Sequence, residues 1–116
     1  MDKNLYIGDF RVRNCSPYGE FKVIKSLEIG DEVKIQYDTS EKLIVVLVEI
    51  IVNNNASNPT KKDVTIGELE MPEHIRKVIV PILRGCHKGN LFDCKVSCVD
   101  DKQIINNRLR VSIWAK

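Results

Sequence analysis

Arg108-Leu109-Arg110-Val111-Ser112-Ile113-Trp114, close to the end of the chain, decides the fold. It reads as a strand, with Arg108 and Arg110 sharing one face. Phe92 to Val99 reads as the strand before it, and Asp100-Asp101-Lys102 with an asparagine-rich stretch joins the two as a hairpin. Upstream, Met71-Pro72-Glu73-His74 opens a helix: Pro72 suits a first turn, where its missing N–H would be unpaired anyway, Glu73 complements the helix dipole, and Gly85 is a stop. Ile75, Val78, Ile79, Ile82 and Leu83 form its apolar stripe. Pro81 interrupts this pattern, so the expectation is one kinked helix or two short helices near residues 72–85.

Further back, Val64 to Leu69, containing Ile66-Gly67, reads as a strand, and Asn53 to Lys62 as a surface loop. Leu43 to Val52, dense in β-branched residues on both faces, reads as a central strand. Leu27-Glu28-Ile29-Gly30-Asp31 is a tight loop in which Gly30 supplies a permissive backbone before Val33, Ile35 and Tyr37 resume alternation. Phe21 to Ser26 is a short element, Ser16-Pro17-Tyr18-Gly19 a turn. Phe10, Val12 and Asn14 alternate with Arg11, Arg13 and Cys15 in the period of an opening strand. The order predicts a mostly β (α+β) protein.

With 116 residues, 43% apolar and 29% charged, the chain has the composition of an ordinary globular domain that buries roughly two-thirds of its unfolded surface. One domain over residues 1–116 is expected, and no run nears the ~18 apolar residues of a membrane span. The first residues lack the features of a secretion signal, so a cytoplasmic location is the expectation. Cysteines at 15, 86, 94 and 98 then read as free thiols. A zinc site would need Cys86, His87, Cys94 and Cys98, whose spacing contains no CxxC pair; on a regular strand Cys94 and Cys98 share a face but lie about 13 Å apart. No metal or cofactor is expected. His74 and His87 are the only histidines and neither lies in an HExxH, while no P-loop, GxGxxG or nucleophile elbow appears, so no enzyme activity is expected.

Net charge is only +2, yet residues 26–75 carry ten acids against four bases and residues 76–116 nine bases against three acids. The basic end fits a phosphate-facing surface or a solvated mixed one. Arg11 and Arg13 share a face of the first strand, as Arg108 and Arg110 do of the last. If the two strands are neighbours, four guanidiniums converge; if not, they are solvated edges.

From residue 10 to 116 the ordered pieces "SLEIGDEV", Tyr18-Gly19, Ile66-Gly67 followed by a helix to Leu83, and the terminal "RLRVSIWAK" resemble the HIRAN domain. This small β-barrel module is fused to DNA-remodelling ATPases and also stands alone in bacteria and phages. The resemblance implies a small OB-like six-stranded β-barrel with the helical insertion near residues 72–85. It also implies tyrosines that stack on terminal bases and an aspartate that accepts a hydrogen bond from the 3′-hydroxyl of a single-stranded DNA end. Where the family carries Asn-Pro-Tyr-Asp, this chain has Gln36-Tyr37-Asp38-Thr39, so the carry-over is confined to Tyr18, Tyr37 and Asp38. From the residues alone, Tyr18 is a ligand or a turn anchor, Tyr37 a core-edge tyrosine or a stacking residue, and Asp38 a turn starter or a ligand.

Two function classes follow. One is a non-catalytic nucleic-acid-binding module for single-stranded DNA or 3′ ends, accessory to DNA repair or remodelling enzymes, with Tyr18, Tyr37, Asp38, Arg11, Arg13, Arg108 and Arg110 as its binding residues. The other is a protein-interaction module of mobile-element origin whose barrel no longer binds DNA ends and whose acidic middle region contacts a basic partner. Neither involves a membrane.

Overall fold

In the last strand, Leu109–Ala115, the side chains of Leu109, Val111 and Ile113 are fully buried, while Arg110, Ser112 and Trp114 take the opposite face. The same alternation builds the rest of the sheet. The computed structural model describes residues 5–13, 15, 21–52, 57, 59–85, 91–100, 102–104 and 108–116, Phe21 by its backbone alone. In chain order the elements are β1 (Leu5–Arg13), α1 (Phe21–Ser26), β2 (Glu32–Asp38), β3 (Leu43–Val52), β4 (Thr60–Leu69), α2 (Glu73–Gly85), β5 (Phe92–Val99) and β6 (Leu109–Ala115). The six strands close a barrel in the order β1-β4-β3-β2-β5-β6, and every described pairing is antiparallel. This is the six-stranded, mostly β architecture expected from the sequence.

The closure is uneven. β2, β3 and β4 pair along most of their length, as do β5, β6 and β1. Among the described residues, the two seams between these halves hold two residue pairs each: Val12↔Leu69 and Arg13↔Glu68 between β1 and β4, Glu32↔Lys95 and Val33↔Cys94 between β2 and β5. Backbone bonds just outside the strands extend both seams. Glu70 N–H donates to Arg11 O (2.9 Å), Gly30 N–H to Val96 O (2.8 Å), and Val96 N–H to Asp31 O (2.9 Å).

These bonds explain two of the sequence signals. Gly30 has φ of 98°, a region that favours glycine, and the loop around it is tied by Glu28 N–H donating to Asp31 Oδ2 (2.9 Å). Gly67 marks the crossing of β1 over β4: a Cβ there would meet Val12 Cγ1 at 2.6 Å and the Arg13 carbonyl at 2.9 Å. The helices complete the core, with Ile24 and Leu27 buried at α1 and Ile79 at α2.

The structure revises several boundaries. β1 begins at Leu5 rather than near Phe10, and β4 at Thr60 rather than Val64, so Thr60 to Lys62 belong to a strand and not to the preceding loop. Phe21–Ser26 is a six-residue helix. α2 runs as a single helix through Pro81, and its inward face is Ile75, Ile79 and Leu83, spaced four apart, with Val80. Val78 and Ile82, assigned to the stripe from sequence, are 61% and 38% exposed. Cys15 is fully buried although it alternates in sequence with the exposed Arg11 and Arg13, because it lies outside the strand. Among the described residues, no helix is long and apolar enough to cross a membrane.

Candidate nucleic-acid interface

β1 and β6 are neighbours, the condition on which the arginine cluster depended. Their register places Arg11 directly opposite Arg110, both on the outer face, since Phe10, Val12, Leu109 and Val111 point into the core. Directly opposed side chains on one face of an antiparallel pair have Cβ atoms about 4.5–5.5 Å apart, and like charges there repel. Among the described residues neither guanidinium makes an ion pair; Arg110 Nη2 donates to the Asp9 carbonyl at 3.3 Å. The other two arginines do not join them. Arg13 pairs with Glu70 at 3.3 Å, because β1 has turned to β4 by this point, and Arg108 Nη2 donates to the Gln103 carbonyl at 3.5 Å.

The outer face continues away from the arginines in regular rows. Ser112 stands between Asp9 on β1 and Lys95 on β5, and its hydroxyl donates to the Asp9 carboxylate. One step further, Tyr6 lies opposite Trp114, their ring centroids 5.6 Å apart and their planes at 52°. The Tyr6 phenol is hydrogen-bonded to Asp9, which holds its pKa above the ordinary value and keeps it a neutral donor. Sequence reasoning missed Tyr6 and Lys95 and drew no role from Trp114. Extending the Arg108–Arg110 alternation two steps would have reached Trp114, whereas a bulge between Tyr6 and Gly8 breaks the alternation that would have assigned Tyr6 to this face.

Tyr37 and Asp38 lie on the other half of the barrel. The Tyr37 ring packs against the core, and both residues border a shallow concavity of about 320 Å³ with Gln36, Thr39, Val45 and Thr65. Asp38 Oδ1 accepts from Ser40 N–H (3.0 Å), Ser40 Oγ–H (2.9 Å) and Glu41 N–H (3.2 Å), bonds that start the β2–β3 turn and hold the carboxyl below its usual range. Tyr18 lies outside the described residues. The structure therefore brings Arg11 and Arg110 together, and separately Tyr37 and Asp38.

A second cavity, about 300 Å³, opens where β2 and β5 part beyond their short seam. On its walls Lys34 pairs with Glu49 (3.3 Å) and Lys116 with Asp93 (3.3 Å), while Lys95 lies opposite Glu32 across the seam. Cys94 borders it, but burial, with the Asp93 charge adding, pushes its thiol up to about 12, which leaves it un-ionised near neutrality. The bulge between Val96 and Cys98 turns Cys98 to the outer face opposite Arg110, so Cys94 and Cys98 do not share a face as a regular strand would dictate. Cys15, Cys94 and Cys98 are free; Cys86 and His87 lie outside the described residues. Among the described residues, no group of three or more His, Cys, Asp or Glu is placed to hold a metal ion. His74 stands exposed in the first turn of α2.

Compared with known proteins, the chain matches no family model, no curated protein and no solved structure.

Proposed function

We propose that the chain is a non-catalytic, HIRAN-like module that binds single-stranded DNA through the outer face of β1 and β6, acting beside a separate DNA repair or remodelling enzyme. The observation that carries this reading is the pair Arg11 and Arg110, opposed on neighbouring strands with no acid pairing either among the described residues. Two like charges so placed weaken the sheet, and a phosphate between them converts repulsion into two charge-assisted contacts. Engagement of Asp38 in its turn and of Tyr37 at the core edge favours binding along a strand over capture of a 3′ end.

The test is fluorescence anisotropy with labelled single-stranded DNA over a salt series. Binding to a single strand weakens with a log–log slope of about 0.7 per phosphate neutralised, so Arg11→Ala with Arg110→Ala, which releases the one phosphate held between them, lowers the slope by about 0.7. No binding at low salt overturns the proposal. That result supports the second reading, a protein-interaction module, which the exposed apolar pair Val78 and Ile82 on α2 favours.

A further inference from the structure

We infer that Tyr6 and Trp114 form a base-stacking platform in line with the arginine pair, so that the ligand is held by the interior of an unpaired strand, bases and phosphates together, and not by its terminus. The inference rests on the reading of this face as a single-strand binder and adds what it grips. A lone exposed aromatic residue is ordinary. Here two aromatic side chains from opposite ends of the chain meet on the same outer face as Arg11 and Arg110, with only the Asp9–Ser112–Lys95 row between them. Tyr6 is 53% exposed and Trp114 half-buried, and their tilt of 52° is not a closed sandwich.

The spacing fits a polymer. Trp114 and Arg110 lie four residues apart on one strand, about 13 Å, a distance a few nucleotides cover. Lys95 stands exposed beside the middle row, where a phosphate between the stacked bases and the arginine pair would pass. The acids along this path are engaged within the face: the Asp9 carboxylate accepts from the Ser112 hydroxyl and the Tyr6 phenol, and Asp93, opposite Trp114, pairs with Lys116 at 3.3 Å. Stacking on an aromatic face admits every base, so the site reads single-strandedness and not sequence.

Trp114 is the only tryptophan, so its fluorescence reports directly on the platform. The probes are oligothymidine of about 15 nucleotides, the same oligomer with its 3′-hydroxyl blocked, and an abasic phosphodiester of equal length, each titrated at low salt. The expected result is saturable quenching by both thymidine oligomers with equal affinity, and weaker binding of the abasic chain by roughly 5- to 150-fold, which corresponds to the loss of one stacked base. Tyr6→Ala lowers thymidine affinity within the same range without changing the salt slope, and Tyr6→Phe, which keeps the ring, restores it. Equal affinity for abasic and thymidine oligomers, unchanged affinity in Tyr6→Ala, or binding that requires a free 3′-hydroxyl overturns the platform while leaving single-strand binding intact. Absence of binding by all three probes overturns both and leaves the face to a protein partner.

Discussion

Two outer faces, one on each half of the barrel, treat their charges in opposite ways. On β2, β3 and β4, Lys34 bridges Glu49 (3.3 Å) and Asp63 (3.2 Å), and Lys61 reaches Glu49 from the far side (3.5 Å). Hydrogen bonds that it donates to Asp63 and Glu49 hold the Lys34 ammonium above its ordinary pKa. On β1 and β6, by contrast, Arg11 faces Arg110. The first face answers its own charges and has little left to offer a ligand. The second carries a small internal cost that an anion can relieve, so a binding surface is recognised less by its net charge than by charges its own strands do not answer.

The sharpest way to break the comparison is to damage what joins the halves. Gly67→Ala puts a methyl group 2.6 Å from Val12 Cγ1 and 2.9 Å from the Arg13 carbonyl, a backbone atom that cannot swing aside. The expected cost is about 1–3 kcal/mol, measured by denaturant unfolding. A variant as stable as the parent would show that β1 and β4 do not cross as closely as described.

A smaller effect distinguishes the faces directly. Arg11→Thr removes one of two opposed like charges and raises stability by about 0.2–1 kcal/mol while weakening DNA binding. Lys34→Met, on the other face, leaves Glu49 and Asp63 without their bridge and lowers stability by at most about 1 kcal/mol, with DNA affinity unchanged. Should both variants lose stability, the idea that the arginine pair stands under repulsion is wrong.

Near neutral pH the titrating groups change nothing, and away from it their effects fall on different halves. The depressed carboxyl of Asp38, in the β2–β3 turn, contributes stability that is present above about pH 3.9, its unfolded value, and lost as pH falls through the folded one. The raised thiol of Cys94, in β5, contributes stability that is complete below about pH 8.5 and lost as pH rises toward about 12. Melting curves across pH should therefore show Asp38→Ala flattening only the acid limb and Cys94→Val only the alkaline one. A change on the opposite limb in either variant would refute the assignment.

What was legible in the sequence is what is periodic or punctuated. The β5–β6 pairing, the long β3 and the Gly30 loop carry alternation or a residue type that one backbone conformation demands. The N-terminal stretch of β4 was hidden because its exposed end, Thr60 to Asp63, is polar throughout and reads as loop. Val78 and Ile82 were misassigned because apolar residues on adjacent helical positions widen a stripe whichever way the helix is rolled, and only packing against the barrel selects the Ile75–Ile79–Leu83 spine. Arg11 and Arg110 could be nominated but not joined, since nothing local to either strand states that the first lies beside the last. Tyr6 was beyond reach for a further reason: the bulge after it shifts the period by one, and a shift of one moves a side chain to the other face. The turn role of Asp38 was within reach, because aspartate bonding forward to its own backbone is a local device.

The two-pair seams have a consequence for motion. Amide protons along the middle of β3 and β6 can exchange only when much of the sheet comes apart, whereas those of Val12, Arg13, Glu32 and Val33 need only a few bonds to part. Deuterium uptake along the sheet should therefore begin at these two lines, where the two leaves of the barrel meet.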